Sequence, residues 1–232
     1  MFGGTRWMFR GIIFIVAVGV AIVQRFAGGD PNAVTTLNLK PGDVFTDTFT
    51  DNRNHWNIAD SERVRYVIGN GTYAITVKRD NWATWPGPSL LFPENIDVQV
   101  EATLPNVDAS VNWAMGIAVR AATRDSDARF YVYEVTATGL WRFRAHLDSN
   151  EWKLIASGKV GYFVDPKQTH TLRLIAKGNS FTLGLNGKQL IQLSDDSLPS
   201  DGNPKYLKLY ALNIETGITD IQFHNLTVLV PQ

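Results

Sequence analysis

Short segments in which apolar and polar residues alternate run through most of this chain. In IDVQVEATL, residues 96–104, the side chains of Ile96, Val98, Val100, Ala102 and Leu104 fall on one face and polar side chains fall on the other. Successive residues of a strand point to opposite sides, so this pattern is typical of an antiparallel strand with one buried face. Beyond residue 44, no stretch has a convincing helical period of 3.6 residues.

The same alternation predicts further strands, and turn residues separate them. These strands begin at Thr72, Trp113, Arg129, Leu140, His170, Ser180, Lys205 and Ile221. Asn70-Gly71 and Asn186-Gly187 are strong signals for two-residue hairpin turns, because both residues tolerate a positive φ. So many short strands in one domain predict an all-β protein, either a two-sheet sandwich or a barrel.

Charge and cysteine content exclude several classes of function. The first 27 residues hold three Arg and no acidic residue, so 19 basic and 22 acidic residues remain beyond them, a net charge of −3. A domain with this balance and no basic stripe is a poor partner for nucleic acid. The chain has no cysteine, which excludes disulfides, thiolate metal sites and cysteine-ligated iron–sulfur clusters. Any redox role would belong to a partner.

An apolar segment near the amino terminus sets the expected location. The stretch GIIFIVAVGVAIV, residues 11–23, is uncharged and lies between arginines. Alone it is too short to cross about 30 Å of hydrocarbon, but residues 7–26 reach that length, with Trp7 and Phe26 at the two interfaces. We therefore expect a single transmembrane helix at 7–26, with residues 1–6 in the cytoplasm because positive charge accumulates there.

A cleaved signal peptide is the alternative interpretation of this segment. A cut after Ala27 would place Arg25 where a small residue is required, so the cleavage signal is poor. Four small residues of the predicted span, Gly11, Ala17, Gly19 and Ala21, would allow close packing against another membrane helix. Residues 27–43 are rich in turn signals and predict a linker, so the outer domain would comprise residues 44–232.

Several segments of the outer domain resemble a known fold family. They are VFTDTFTDNRNHW, VIGNGTYAITV, GIAVRAATRDSDARFYVYEVTATGLWRF, HTLRLIAKGNSFTLGLNGKQL and ITDIQFHNLTV. Together they resemble concanavalin-like, laminin-G-like jelly rolls, and most closely the bacterial family grouped with 3-keto-disaccharide hydrolases. The resemblance implies a two-sheet antiparallel jelly-roll sandwich, a fold that hosts lectins, glycosidases and interaction domains. Relatives often have Phe-Asp-Asn near the end, whereas this chain has His224 at the middle position, so no role of that aspartate carries over.

Acidic residues offer little for glycoside cleavage. Most glycosidases use two carboxyl groups about 5 to 9.5 Å apart. Asp97 and Glu101 share one face of one strand, but four strand residues span about 13 Å. Glu134 is a weak catalytic candidate that stands alone on its strand, and we expect it to pair with Arg120, Arg142 or Arg144 on neighbouring strands.

Aromatic residues and arginines supply the candidate binding residues. Trp56, Trp82 and Trp85 fall in predicted loops, where exposed rings stack on sugars or protein partners; alternatively they cover the open edges of the sandwich. Arg120, Arg142 and Arg144 are expected to align with His146 as a polar platform on one sheet face. Trp113, Trp141, Tyr131 and Tyr133 lie within strands at a period of two, which predicts core positions.

No cofactor is expected from the sequence. The four histidines lack metal-binding spacing. Asp47, Asp51, Asp60 and Asp80 could supply oxygen ligands to calcium, although aspartates are common in loops for turn-forming reasons alone.

These observations favour a non-catalytic interaction module anchored in the bacterial cytoplasmic membrane, with its sandwich in the periplasm or outside the cell. We expect it to be an accessory subunit of a larger membrane complex, such as an electron-transfer assembly whose redox centres lie in its partners. Its expected partners are the lipid bilayer, other subunits of the complex and a glycan. The alternatives are a carbohydrate-binding module at the cell surface and a glycoside hydrolase-like enzyme.

Overall fold

The computed structural model describes residues 33–106, 112–125, 128–148 and 151–232, and these residues form strands and turns without an α-helix. The strands are β1 (Thr35–Thr36), β2 (Val44–Asp47), β3 (Ala59–Asp60), β4 (Val64–Gly69), β5 (Thr72–Val77), β6 (Trp82–Thr84), β7 (Leu90–Phe92), β8 (Ile96–Thr103), β9 (Trp113–Ala121), β10 (Phe130–Thr136), β11 (Leu140–Asp148), β12 (Glu151–Lys159), β13 (His170–Lys177), β14 (Ser180–Leu185), β15 (Lys188–Ser194), β16 (Lys205–Asn213) and β17 (Thr219–Leu229).

Two sheets pack face to face as a jelly-roll sandwich, which confirms the predicted fold class. The eight-stranded sheet has the order β1-β7-β16-β9-β10-β11-β12, and β6 pairs with β16 beside this path. The nine-stranded sheet has the order β15-β14-β13-β8-β17-β5-β4-β3, and β2 pairs with β17. All pairs are antiparallel except the short β1–β7 pair. Both predicted hairpin turns are present, with positive φ at Asn70, Gly71, Asn186 and Gly187.

Large rings fill the space between the sheets. The four residues predicted to be core, Trp113, Trp141, Tyr131 and Tyr133, are buried there. The Tyr133 hydroxyl donates to the Gly184 carbonyl at 3.0 Å, so this ring crosses from one sheet to the other with its polar atom satisfied. Each fully buried ring of this size stabilises the sandwich by about 2 to 3 kcal/mol.

The beginning of the outer domain differs from the sequence-based boundary. Thr35 and Thr36 pair in parallel with Leu90 and Leu91, and the Leu37 side chain is buried in the core. Part of the predicted linker 27–43 is therefore packed against the sandwich. Two apolar positions and a short run of hydrogen bonds are enough to hold this segment against the sandwich. So few apolar residues do not form the alternating pattern from which a strand is predicted.

The predicted membrane span lies outside the described residues. Residues 7–26 belong to this undescribed part, and so do Gly11, Ala17, Gly19 and Ala21. Among the residues that are described, none forms a helix with the length and hydrophobicity needed to span a membrane.

Candidate functional site

The outward face of the eight-stranded sheet carries a row of polar residues set by strand register. In β10 the odd-numbered residues enter the core, so Glu134 points outward, and the same alternation turns Arg142 and Arg144 of β11 outward. Glu134 lies directly opposite Arg142, and Arg144 lies one pair further along, opposite Val132. Both arginines are thus within reach of a single carboxylate, as cross-strand neighbours are.

Glu134 forms ion pairs with both arginines. Its Oε1 lies 2.5 Å from Arg142 Nε, and its Oε2 accepts a hydrogen bond of 3.0 Å from Arg144 Nη2. The Glu134 side chain is 0% exposed, whereas the Arg142 and Arg144 side chains are 26% and 17% exposed. The predicted ion pair is therefore present, and its carboxylate is buried beneath two guanidinium groups that still reach solvent.

Tyr210 on β16 extends this network across the sheet. Gly116 on β9 is the register partner of both Tyr210 and Glu134, so no side chain separates the two. Arg144 Nη2 consequently reaches the Tyr210 hydroxyl at 3.0 Å. Burial, and secondarily the negative charge of Glu134, raises the pKa of Tyr210 well above its usual value, so the phenol stays neutral and can accept this hydrogen bond.

Aromatic rings cover the sheet next to the arginines. Trp85, which follows β6, stacks parallel to the Tyr210 ring with centroids 6.3 Å apart. Trp85 also meets Trp152 of β12 edge to face at 6.0 Å, and Phe130 and His146 fill the space beneath them. The Arg144 guanidinium lies 4.2 Å from the centroid of the Trp152 ring. Trp85 and Trp152 are both partly exposed, and each therefore presents some ring surface to solvent.

A cleft of about 840 Å³ lies over this part of the sheet. Trp82 and Trp85 line it from β6 and its continuation, and Arg142, Arg144 and Trp152 line it from β11 and β12. Its remaining lining includes Tyr210, Arg63, Tyr66 and Arg124. The volume falls within the range of about 300 to 1,000 Å³ that is usual for small-molecule sites.

The predicted aromatic and basic residues do not all meet in this cleft. Trp82, Trp85, Arg142 and Arg144 are brought together. Trp82 is partly occupied already, because the guanidinium carbons of Arg63 and Arg79 lie 5.0 and 4.8 Å from its ring centroid. These cation–π contacts compete with any sugar for the ring faces of Trp82.

Trp56 is a correction to its assignment as a binding residue, and it fits the alternative interpretation, in which loop tryptophans cover the open edges of the sandwich. Its side chain is only 2% exposed and packs against Phe49 and Tyr73. Its indole Nε1 donates to Asp47 Oδ2 at 2.8 Å, so the ring is satisfied inside the fold. A loop position says nothing about exposure when the loop folds back over the end of the sandwich.

Arg120 is a second correction, because it does not align with Arg142 and Arg144. The register between β9 and β16 shifts near this residue, and its φ is +60°, an uncommon value for a residue with a side chain. The irregularity interrupts the alternation and turns the side chain inward, where it is 5% exposed. There Arg120 lies 3.8 Å from Glu94 and 4.9 Å from the Phe181 ring centroid.

The aspartates considered for calcium have internal partners. Asp47 accepts hydrogen bonds from Asn54 Nδ2 and Trp56 Nε1, Asp51 pairs with Arg53, and Asp60 pairs with Lys78. Asp80 Oδ1 accepts from the Gly217 amide at 3.3 Å. Within the described ranges, no group of three or more His, Asp or Glu residues is placed to hold a metal ion.

The cleft lacks the carboxylate arrangement of most glycosidases. None of its described lining residues is Asp or Glu, and Glu134 lies beneath the surface with both oxygens against arginines. A pair of carboxyl groups flanking a substrate bond, as hydrolysis requires, is therefore not assembled by the described lining.

Sequence reasoning missed Trp152, Tyr210, Arg63 and Arg124 as cleft residues. Tyr210 could have been suspected, since it alternates with Leu209 and Ala211 and so faces outward with Lys208 and Leu212. Arg63 and Arg124 come from turns outside the sheet, and no periodic signal connects them with the cleft.

Comparison with known proteins supports the fold without assigning a family. No family model matches the chain, and no curated protein matches it. Three solved structures share the fold: the carbohydrate-binding module CBM66 from Bacillus subtilis, a β-glucanase from Bacillus licheniformis, and a B. subtilis protein of unknown function described as galectin-like.

The measures of similarity are alike for the three. The carbohydrate-binding module is 16% identical with a TM-score of 0.57, covering 75% of this chain and 94% of its own. The β-glucanase is 11% identical with a TM-score of 0.57, covering 80% and 97%. The galectin-like protein is 11% identical with a TM-score of 0.55, covering 81% and 96%. Identities this low establish the jelly-roll fold alone, and the narrower resemblance to 3-keto-disaccharide hydrolases remains a prediction.

Proposed function

We propose that this protein binds a carbohydrate, without cleaving it, in the cleft on the outward face of its eight-stranded sheet. The observation that carries the proposal is the partly exposed Trp85–Trp152 pair next to Arg142 and Arg144 in one cleft. The shared fold of the B. subtilis carbohydrate-binding module is consistent with this role but does not carry it.

The chemistry of the cleft suits a sugar. Pyranose rings present apolar C–H faces that pack against indole rings, and their hydroxyl groups accept hydrogen bonds from guanidinium donors. Glu134 and Tyr210 hold the Arg144 guanidinium in place, and Glu134 also contacts Arg142. Donors fixed in this way lose little conformational entropy when a ligand binds.

The absence of carboxylates from the described lining supports binding without hydrolysis. Glu134 would have to leave two ion pairs before it could exchange a proton with a substrate. The buried ion-pair network is better explained as support for the two arginines than as a general acid.

A glycan microarray followed by titration calorimetry on the full chain in mild detergent tests the proposal. We expect at least one glycan to bind, and we expect Trp85→Ala and Trp152→Ala each to weaken binding by about tenfold, since each ring supplies stacking surface. Phe163→Ala is the matched control, because Phe163 is an aromatic residue that is 81% exposed and does not line the cleft. Thermal unfolding of each variant separates loss of binding from loss of fold.

Two results would contradict the proposal. The first is a failure of the full chain to bind any glycan on the array. The second is glycan binding that the two cleft tryptophan variants leave unchanged while Phe163→Ala removes it, which would place the site at the 161–164 turn.

We propose, as a second candidate, the role expected from the amino-terminal sequence: an accessory subunit anchored by residues 7–26 to a membrane complex. The small residues Gly11, Ala17, Gly19 and Ala21 in that segment favour it, because they permit close helix packing. Copurification in mild detergent tests it. Migration as a lone 25.8 kDa species would rule out a stable complex, and recovery of the full chain from the soluble fraction would rule out the anchor.

A further inference from the structure

Charge is distributed unevenly between the cleft and the rest of the protein. The chain beyond residue 27 has a net charge of −3. Four arginines line the cleft, namely Arg63, Arg124, Arg142 and Arg144, and Glu134 is the carboxylate beneath them. Among the described residues, four guanidinium groups and one carboxylate leave an excess of three positive charges in this concave site. A cleft lined by one sign of charge concentrates ligands of the opposite sign.

Donor groups of these arginines are available to a ligand. Arg142 contacts Glu134 through Nε, and its two Nη groups make no hydrogen bond to another described residue. The Arg63 side chain likewise donates no hydrogen bond within the described part of the chain and rests against the Trp82 ring. Arg144 differs, since its Nη2 is already committed to Glu134 and Tyr210. Arg63 and Arg142 are therefore the donors best placed to receive an incoming group.

Two arginines outside the cleft each have a carboxylate of their own, although Asp60 on the opposite sheet is shared by Arg65 and Lys78. Arg173 faces Asp97 on the nine-stranded sheet, and Arg53 faces Asp51 in the loop after β2, each with one carboxylate for one guanidinium. In the cleft two arginines share Glu134, and Arg63 and Arg124 have no salt bridge to a described carboxylate. The missing negative charge is what a ligand would supply.

We infer that the bound carbohydrate is acidic, carrying a uronate carboxylate or a sulfate ester that Arg63 and Arg142 bind within the cleft. This inference rests on the proposed function. A carboxylate or sulfate accepts two parallel hydrogen bonds from a guanidinium group, and such charge-assisted bonds are stronger than those to a neutral hydroxyl. The sugar ring that carries the group would then pack on Trp85 and Trp152.

Matched acidic and neutral saccharides test the inference by titration calorimetry on the full chain in mild detergent. The probes are a galacturonate pentamer and a guluronate pentamer, each with its methyl ester, and a dextran sulfate oligosaccharide with its unsulfated counterpart. We expect at least one acidic probe to bind about tenfold more tightly than its neutral partner, because charged hydrogen bonds are about twice as strong as neutral ones. The carboxylate and sulfate pairs distinguish the two sources of charge.

Arginine variants then locate the charge that is recognised. Arg142→Gln is expected to weaken the acidic probe about tenfold and the neutral probe about twofold or less. Arg63→Gln, which breaks no ion pair with another described residue, is expected to weaken the acidic probe about threefold. Arg173→Gln, on the opposite sheet, removes one positive charge away from the cleft and is expected to change neither.

The outcomes separate this inference from the proposed function. Equal affinity for the acidic and neutral members of every pair that binds would overturn the acidic ligand and leave carbohydrate binding intact. Failure of all six probes and of the glycan array would overturn both. An equal effect of Arg63→Gln and Arg173→Gln would indicate non-specific attraction of a polyanion and would also overturn the inference.

Discussion

The outward faces of the two sheets differ in composition and in burial, since Asp97, Gln99 and Glu101 line β8 whereas Ala114, Gly116 and Ala118 line β9. On the nine-stranded sheet, Asp97 forms a two-pronged ion pair with Arg173, whose side chain is 51% exposed, and Glu101 accepts from Asn225 at the surface. On the eight-stranded sheet, every residue of β9 and β10 is buried. The nine-stranded sheet therefore has one face open to solvent, whereas the central strands β9 and β10 of the eight-stranded sheet are covered on both faces.

The difference arises from what lies over each sheet. Trp85, which follows the edge strand β6, and Trp152 pack over the eight-stranded sheet and help to bury Ala114, Ala118 and Val132 on its outward face. Glu134 and Lys208 are buried under the same cover, so their charges are no longer screened by water as those of Asp97 and Arg173 are. A covered sheet face can hold arginines rigidly for a ligand, whereas an open face cannot.

The largest expected effect comes from removing the shared carboxylate. Glu134→Gln should lower the free energy of unfolding by about 3 kcal/mol, because it leaves Arg142 and Arg144 partly buried without a counter-charge. The matched change on the open sheet, Asp97→Asn, should cost about 1 kcal/mol or less, since its partner is half exposed. Urea unfolding measures both, and equal losses would show that the two faces are electrostatically alike.

A second comparison concerns glycines on the two sheets. A Cβ at Gly116 would lie 2.3 Å from the Tyr133 carbonyl oxygen, whereas a Cβ at Gly184 of β14 would lie 3.3 Å from the Lys188 carbonyl oxygen. Gly116→Ala should therefore cost about 2 kcal/mol through forced backbone movement, and Gly184→Ala less than about 1 kcal/mol. Because Gly116 lies between Tyr210 and Glu134, which together hold Arg144, its substitution should also weaken glycan binding. Unchanged stability and unchanged glycan affinity in Gly116→Ala would contradict this prediction and would mean that the strands move apart without cost.

The smallest expected effect is a pH dependence from a lysine of the covered face. Burial lowers the pKa of Lys208 from 10.5 to about 8, although its Nζ donates to the Asp125 carbonyl at 2.9 Å. Between pH 8 and 10.5 the unfolded chain keeps this proton and the folded protein releases it, so stability should rise with pH across that window. Lys208→Met should remove the rise and stabilise the protein by about 1 to 2 kcal/mol at pH 7.

Lys177→Met on the nine-stranded sheet is the control for this measurement. Lys177 is exposed and donates to the carbonyl of Gln232, so its substitution should leave the pH profile as it is in the unaltered protein. Unfolding midpoints measured from pH 7 to 10 supply the comparison. The same profile in Lys208→Met and the unaltered protein would show that the buried ammonium group does not titrate in this range.

Much of the fold was predictable, because strand period and turn chemistry are local properties. The alternation in residues 96–104 and the glycines of the Asn70 and Asn186 turns give strands and hairpins at the observed places. Glu134 and its arginine partners were predictable for the same reason, since neighbouring strands joined by a tight turn have a fixed register. The exposure of Trp56 and the direction of Arg120 were not, because a folded-back loop and a register shift override the local pattern.

By itself the sequence determined that this domain is cysteine-free and all-β, and its resemblance to jelly rolls predicted a two-sheet sandwich. It offered six binding candidates, of which the structure brings together Trp82, Trp85, Arg142 and Arg144 but not Trp56 and Arg120. Only the tertiary structure decided that those four share a cleft with Trp152, Tyr210, Arg63 and Arg124. Alternation assigns each residue to a side of its own strand. Which side is covered depends on residues distant in the chain, such as Trp85, whose ring packs on Phe130 and Tyr210. The charge of the cleft follows from that packing, because arginines from three separate segments meet where no described carboxylate lines the surface.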